Sequence, residues 1–270
     1  MTTETFIRDR EAPIERSASF LEEAKDMTAG TAVAMGNSVS QRAQRAIAQC
    51  VSSVVRSRRA TRAFKPLPLD RQLVEGILED AATAPSGANI QPWRVYVVSG
   101  SAKDELADAM LAASRAGSVP APAHFPDPLP EVFRARLQDF GARYYGSLGI
   151  DRNDAPARTR QSERNLSFFG APVGLLFSID RRLKPHSWID LGLFAQNVMI
   201  AAKARGIDTC PQVSFAPFHE VIASHLEMAP EEVTAFGMSM GYGDPDAKVN
   251  RAPMPRESVR CFARLVGFPE

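Results

Sequence analysis

Three arginines lie within five residues, at Arg58, Arg59 and Arg62. Guanidinium groups repel one another unless they share an anion, and arginine forms forked, bidentate hydrogen bonds with phosphate groups. A solvated basic turn is the alternative interpretation, and the cluster taken alone favours it because most runs of charge lie at the surface. The cluster therefore predicts a phosphate site only in combination with other motifs.

A second motif, PSGANIQPW at residues 85–93, lies between a predicted helix and a predicted strand. The side chains of Ser86, Asn89 and Gln91 can donate and accept hydrogen bonds, as a heterocycle with alternating N–H and C=O edges requires. Capping of backbone groups in a structural loop is the alternative, which explains Ser86 alone well and the whole run poorly. We interpret the motif as a binding loop for a planar heterocycle.

Two further segments carry weaker signals. One is GIDTCPQVS at residues 206–214, and the other is the tail from Gly241 to Arg256. The tail places Arg251 and Arg256 in a sequence that otherwise has few basic clusters. Neither segment predicts a function by itself.

Other common site motifs are missing from the sequence. His219 and His225 are six residues apart, so they fall on different helix faces and miss the spacing of four found in zinc proteases. Gly241 and Gly243 lack the third glycine of a dinucleotide-binding loop. No Gly-x-Ser-x-Gly elbow, P-loop or Cys-x-x-Cys pair occurs, and we expect no metal site.

The composition is that of a globular protein, 44% hydrophobic and 23% charged, which excludes disorder as the main state. A formal net charge of +1 gives no long-range field for nucleic acid or an acidic membrane. Cys50, Cys210 and Cys261 are odd in number and far apart, which argues against a disulfide framework. No apolar run reaches the roughly 18 residues of a spanning helix, so we expect a cytoplasmic protein that binds neither nucleic acid nor membrane.

Apolar periodicity predicts the elements that position these motifs. One helix is expected to begin after the N-cap Asp70 and to stop before Pro85. The other predicted helices cover 41–57, 102–116, 131–145, 157–169, 188–205 and 218–226, and the predicted strands cover 93–98, 173–179, 209–214 (a short strand or an extended loop) and 233–242. Because helices separate the strands, the pattern predicts a layered domain of α+β or α/β type.

Two segments fall outside this regular pattern. Residues 1–40 are polar and weakly periodic, and we interpret them as an N-terminal extension or arm. Prolines at 120, 122, 126, 128 and 130 punctuate a long connection, and connections of this length are usually functional or mobile. We treat it as a candidate lid.

In this order and spacing, RRATRAF, APSGANIQPW, GIDTCPQVSF and the GYGDPD tail that ends in PRES resemble the FMN-dependent nitroreductase family. The resemblance covers roughly residues 51–259. It implies an α+β nitroreductase-like fold, in which a central mixed β-sheet is flanked by helices, and an intertwined homodimer with two FMN sites at the subunit interface. Residues 41–270 would form the FMN-binding domain.

The resemblance also implies which residues contact FMN. The three arginines would hold the phosphate, the ribityl chain and the pyrimidine edge, and Arg256 would close on the phosphate. Pro85, Ser86 and Asn89 would come from the other subunit and meet the isoalloxazine ring. Pro211, Val213 and Ser214 would pack beside that ring. The implied FMN-binding set is Arg58, Arg59, Ala60, Arg62, Pro85, Ser86, Gly87, Asn89, Pro211, Val213, Ser214, Gly241 and Arg256.

The sequence departs from the family pattern in three places. Ala60 stands where the family usually has serine, so one hydroxyl contact to the cofactor should be missing. Gln212 and Val213 stand where some members carry an acidic residue. The arm and the connection 119–130 are longer than in minimal members, and we expect substrate selection there.

The resemblance implies an enzyme that passes electrons from NADPH or NADH, through FMN, to nitroaromatic or quinone-like acceptors by ping-pong kinetics. Hydride goes to flavin N5, so no catalytic side chain is needed, and Arg62 is our candidate for stabilising negative charge at N1 and O2. Phe125, Phe133 and Tyr144 are expected walls for a flat acceptor. The alternatives are reductive dehalogenation, oxygen-dependent flavin fragmentation, and non-catalytic flavin binding beneath the proline-rich connection.

Overall fold

A computed structural model of the chain describes residues 41–119 and 125–269. The arm expected at 1–40 and the centre of the candidate lid, 120–124, lie outside the described residues. The chain divides into two units, one ending at Arg56 and the other beginning at Ser57. Our arm boundary at residue 40 stays a prediction.

The second unit is built around a four-stranded sheet. Its strands are β1 (Arg94–Ser99), β2 (Val173–Asp180), β3 (Asp208–Gln212) and β4 (Glu232–Gly241), in the order β1-β2-β4-β3. Neighbouring strands pair antiparallel, and an isolated bridge between Ala60 and Thr209 adds a parallel pairing. Seven of the eight residues of β2 are buried, which explains why its sequence is mostly apolar, with Ser178 as the one buried polar residue.

Helices precede, separate and follow the strands. They are α1 (Gln41–Ser57), α2 (Arg71–Ala81), α3 (Gly100–Arg115), α4 (Glu131–Ser147), α5 (Ala155–Glu163), α6 (Pro185–Ala204), α7 (His219–His225), α8 (Lys248–Arg251) and α9 (Val259–Phe262). The predicted cap of α2 is confirmed, because the Asp70 carboxylate accepts a hydrogen bond from the Gln72 N–H at 2.7 Å. In the described residues no helix is long and apolar enough to cross a membrane.

The helix predicted over 157–169 is wrong at its C-terminal end. Helix α5 stops at Glu163, and a separate 3-10 turn covers Phe168–Gly170. Phe168 and Phe169 both have φ of +53°, a left-handed conformation that an α-helix cannot contain. Their rings are fully buried, so tertiary packing overrides the local helical pattern.

Helices cover both faces of the sheet, and successive residues of β2 point to opposite faces. On one face Leu175 packs with side chains of α2 and α6, including Ile77 and Val198. On the other face Leu176 packs with α3 and α7, including Leu106. Each fully buried aliphatic side chain contributes about 1.5–3 kcal/mol, so the two layers fix the central sheet and confirm the α+β fold class.

Candidate functional site

The arginine segment (residues 58–62) lies along the edge of β3. The Thr61 N–H donates to the Thr209 carbonyl at 3.0 Å, and Phe64 bridges Gly243 just beyond β4. Main-chain hydrogen bonds therefore hold the segment beside the two strand ends that carry the other predicted motifs.

Asn250, at the buried end of α8, fixes the same segment to the tail (residues 242–269). Its Oδ1 accepts from the Arg62 N–H, and its Nδ2 donates to the carbonyls of Ala63 and Asp244, all at 2.8 Å. Its own carbonyl accepts from Arg59 Nη1 at 2.9 Å. Sequence analysis missed this residue, because its partners lie up to 191 positions away.

Arg58 and Arg256 approach each other across this junction. Partial burial lowers the pKa of the Arg58 guanidinium, and the nearby positive charge of Arg256 lowers it further. Arg256 is exposed, and its Nη1 donates to the carbonyls of Met254 and Pro255 at 3.0 Å. The two guanidiniums repel each other, and a shared anion would relieve that repulsion. That both bind the FMN phosphate stays a prediction.

Arg62 lies against the aromatic face of α4. Its guanidinium carbon is 5.4 Å from the ring centre of Phe140 and 5.1 Å from that of Tyr144, which is cation–π geometry. The Tyr144 hydroxyl accepts from Gln161 Nε2 at 2.7 Å, and burial raises the pKa of that hydroxyl. Arg62 therefore has a fixed position on a rigid support.

Only two of the three aromatic side chains expected to wall the acceptor site are open. Phe125 is 58% exposed and Phe133 is 50% exposed. Tyr144 is buried and contacts Arg62. Its role in this fold is to support Arg62, and it does not present a wall to solvent.

Beyond β3 the chain presents an apolar and a hydroxyl side chain. Gln212 points inward, where it hydrogen-bonds to Ser239 and to the Asn165 carbonyl. Val213 is 56% exposed, whereas the Ser214 hydroxyl is buried and hydrogen-bonds to no described residue. A buried hydroxyl without a partner costs about 1–3 kcal/mol, which makes the Ser214 hydroxyl a candidate contact for a ligand.

Cys210 lies beneath this edge, close enough to Arg58 and Arg62 to interact electrostatically. Burial raises the pKa of its thiol to about 11, although the two arginines oppose that shift. The thiol is therefore neutral at ordinary pH and does not balance their charge. Pro211 follows it on the exposed side of β3.

Gly241, which we predicted to contact the cofactor, is buried. A Cβ atom there would lie 2.5 Å from Pro172 Cδ and 3.2 Å from Phe64 Cδ1. The close approach of these two rings accounts for the glycine by packing alone.

The Ser86 loop (residues 85–92) has an unusual backbone. Ala88, Asn89 and Gln91 have φ of 49°, 56° and 48°, and each such non-glycine conformation costs about 1–3 kcal/mol. The Ser86 hydroxyl accepts from the Gln91 N–H at 3.0 Å, so part of the polarity of the loop is structural. In the described residues no hydrogen bond or ion pair joins this loop to the arginine segment.

The arginines of the site have no acidic partners within the described chain. No described carboxylate lies within 4 Å of the guanidinium nitrogens of Arg58, Arg59, Arg62 or Arg256, whereas eleven ion pairs occur elsewhere. Four cations at one junction, with a neutral thiol beneath them, create a positive potential. This arrangement of charge suits an anionic ligand.

The sequence model of the Nitroreductase family matches residues 55–242, which include the arginine segment, the Ser86 loop and all four strands. The chain belongs to the nitroreductase family. The resemblance predicted from four short motifs is therefore confirmed. Arg256 lies beyond the family match.

Named relatives and a solved structure agree with this assignment. The chain is 44% identical over 216 residues to the 4-nitrobenzoate reductase of Pseudomonas putida, a match that covers 80% of this chain and 95% of that protein. It is 39% identical over 219 residues to the nitrobenzene nitroreductase of Ectopseudomonas oleovorans, with 80% and 96% covered. The crystal structure of the FMN-dependent nitroreductase NfnB from Mycobacterium smegmatis in complex with NADPH superposes with a TM-score of 0.78 at 32% identity, with 82% and 99% covered.

Proposed function

We propose that the protein is an FMN-dependent oxidoreductase that passes electrons from NADPH or NADH to nitroaromatic or quinone-like acceptors. The observation that carries this proposal is the junction of Arg58, Arg62 and Arg256, which has no described acidic partner. The family and the relatives named for nitroaromatic reduction support the activity.

The residues present fit FMN. We propose that Arg58 and Arg256 bind its phosphate, that Arg59 lies along the ribityl chain, and that Arg62 faces the pyrimidine edge. When bound, FMN supplies the redox chemistry, taking two electrons as hydride from NAD(P)H and passing them to the acceptor. Ala60 offers no hydroxyl to FMN, and Gly241 would contribute close backbone packing beside the site.

The remaining contacts in the proposal come from two segments. Pro211, Val213 and Ser214 pack beside the ring, where the Ser214 hydroxyl gains its missing partner. Pro85, Ser86, Gly87 and Asn89 serve the site of the other subunit, which agrees with the missing hydrogen bonds between the Ser86 loop and the arginine segment of the same chain.

Arg62 has the electrostatic role in this scheme. A cation fixed before the reaction stabilises developing negative charge without reorganisation during the reaction. The stack on Phe140 and Tyr144 restricts the guanidinium, and the Asn250 bond fixes the backbone from which it projects. The chain's own contribution is therefore binding, orientation and positive charge.

We propose that Val213 and Phe133 of α4 line the acceptor site. Both side chains are exposed and apolar, and they suit a flat aromatic ring. Relatives named for 4-nitrobenzoate and nitrobenzene favour a nitroarene over a halophenol. We further propose a cytoplasmic location, since Cys50, Cys210 and Cys261 are all free thiols.

Purified protein is expected to be yellow, with about one FMN per chain, and to bleach rapidly when NADPH is added without oxygen. One face of the flavin ring serves both flat substrates in turn. Double-reciprocal plots of initial rate against NADPH concentration, measured at several 4-nitrobenzoate concentrations, are therefore expected to be parallel. Intersecting lines would show that both substrates bind at once. A protein that binds FMN but does not bleach with NADPH or NADH would be a flavin-binding protein without this activity.

We also propose a homodimer, and exposed apolar surface supports it. Trp188, Ile189 and Leu193 lie on one side of α6 and are 42–62% exposed. Five apolar residues of the tail are 59–75% exposed, namely Val259, Phe262, Leu265, Val266 and Phe268. Exposed apolar area of this kind marks interaction sites.

Light scattering of the FMN-bound protein is expected to give twice the 29.4 kDa chain mass. Truncation before Val259 should weaken the dimer, because it removes the five exposed apolar side chains of the tail. A mass of one chain for the full-length protein would contradict the proposal.

A further inference from the structure

The Ser86 loop needs an external support. Three of its residues have positive φ without being glycine, and such conformations persist only when their surroundings over-determine them. Gln91 donates to the Ser86 hydroxyl and to the Asn89 carbonyl, and the N–H groups of Asn89 and Ile90 donate to the carbonyls of Ser86 and Gly87. All four bonds lie within the loop, so they shape its turn but do not fix it to the rest of the protein.

Helix α6 supplies that support at both ends of the loop. At the start, the Gly87 N–H donates to Asp190 Oδ2 at 3.1 Å. At the end, the Trp93 ring stacks on Phe194 with 4.7 Å between ring centres and 10° between planes. Asp190 and Phe194 are four residues apart, so they lie on the same face of α6, one turn apart.

The Asp190 carboxylate has no competing role in the described chain. It forms no ion pair with a described cation, and it accepts one hydrogen bond within the described chain, from the Gly87 N–H. A hydrogen bond to an ionised acceptor is roughly twice as strong as a neutral one. The loop end nearest the proposed flavin contacts Ser86 and Asn89 therefore depends on this one carboxylate.

We propose that Asp190 is a positioning residue that holds the Ser86 loop in the conformation that binds FMN. It acts through the Gly87 N–H and does not itself touch the cofactor. The inference rests on the proposed function, because it assigns Asp190 to the flavin contacts of the Ser86 loop.

The test compares FMN dissociation constants of Asp190→Ala, Asp190→Asn and the unmodified protein by fluorescence titration. Asp190→Ala is expected to raise Kd roughly ten-fold, because it removes a charge-assisted bond. Asp190→Asn keeps an oxygen acceptor without the charge, so a smaller rise of about three-fold is expected. Hydrogen exchange of the Gly87 amide should accelerate in the same order, with or without FMN.

Asp70→Ala is the matched control. Asp70 also accepts one backbone N–H, at 2.7 Å from Gln72, but it caps α2 and lies outside the proposed site. This variant should lower Tm and leave FMN affinity unchanged. If Asp190→Ala leaves Kd within two-fold of the unmodified value, or if Asp70→Ala raises it equally, the positioning role is wrong. If the unmodified protein binds no FMN, the proposed function itself fails.

Discussion

Replacing Arg58 and Arg256 together by alanine is expected to abolish purification with bound FMN. Each arginine contributes a hydrogen bond between charged groups, worth roughly 1.5–3 kcal/mol. Loss of both should weaken FMN binding by roughly 3–6 kcal/mol, or about two to four orders of magnitude. The single variants should each retain part of the affinity.

The same variant should not destabilise the protein when FMN is removed. The pKa of Arg58 lies below its ordinary value in the folded chain, so folding disfavours its charged form. Arginine stays charged throughout the usable pH range, so the charged Arg58 side chain lowers folding stability at every such pH. Replacing it by alanine removes this unfavourable contribution. The Tm of the FMN-free variant is therefore expected to equal or exceed that of the FMN-free unmodified protein.

A charge-matched control is the double variant in which Arg71 and Arg182 are both replaced by alanine. Both arginines are highly exposed, at 89% and 75% of their side-chain area, and both pair with a neighbouring carboxylate. Their replacement changes net charge equally but leaves the junction intact. Full FMN occupancy after removal of Arg58 and Arg256 would contradict the phosphate assignment.

Local sequence patterns predict the elements whose structure is determined locally. The Asp70 cap and the apolar spacing that follows it predict helix α2, and the mostly apolar run from Val173 to Ile179 predicts β2. The turn at Phe168 could not be predicted in this way. The Phe168 ring packs so closely on Gly174 that a Cβ atom at residue 174 would clash with it. The left-handed backbone at Phe168 therefore depends on packing against β2, which follows later in the chain.

Local sequence patterns likewise predict some residues of the candidate site and miss others. Arginines and loop amides are recognisable because their types cluster along the sequence. Asp190 and Asn250 are single polar residues, and each hydrogen-bonds to a backbone N–H more than 100 residues away. Backbone groups have no sequence signature, so the sequence contained no signal for either contact. A polar residue within an otherwise apolar helix face is the nearest hint, and it applies to Asp190 alone.

Asn250→Ala is expected to be the most destabilising change at the site. It would remove three side-chain hydrogen bonds and leave the Arg62 N–H and the Asp244 carbonyl without a described partner, whereas the Ala63 carbonyl keeps its bond from the Asp244 N–H. An unpaired buried polar group costs about 1–3 kcal/mol. Partial relaxation would reduce the sum, so a loss of roughly 2–4 kcal/mol is expected, a large share of the roughly 5–15 kcal/mol that stabilises a typical protein.

Urea denaturation of the FMN-free protein measures this loss, and Asn165→Ala is its control. The Asn165 amide donates one exposed hydrogen bond, to the Ser162 carbonyl at 3.0 Å, so its removal should cost less than about 0.5 kcal/mol. Asn250→Asp distinguishes the hydrogen bond that the Asn250 side chain accepts from the two that it donates. It keeps an acceptor for the Arg62 N–H but places a carboxylate against two carbonyl oxygens, so its stability should be no higher than that of the alanine variant. An Asn250→Ala protein within 1 kcal/mol of the original would show that the tail and the arginine segment do not depend on this residue.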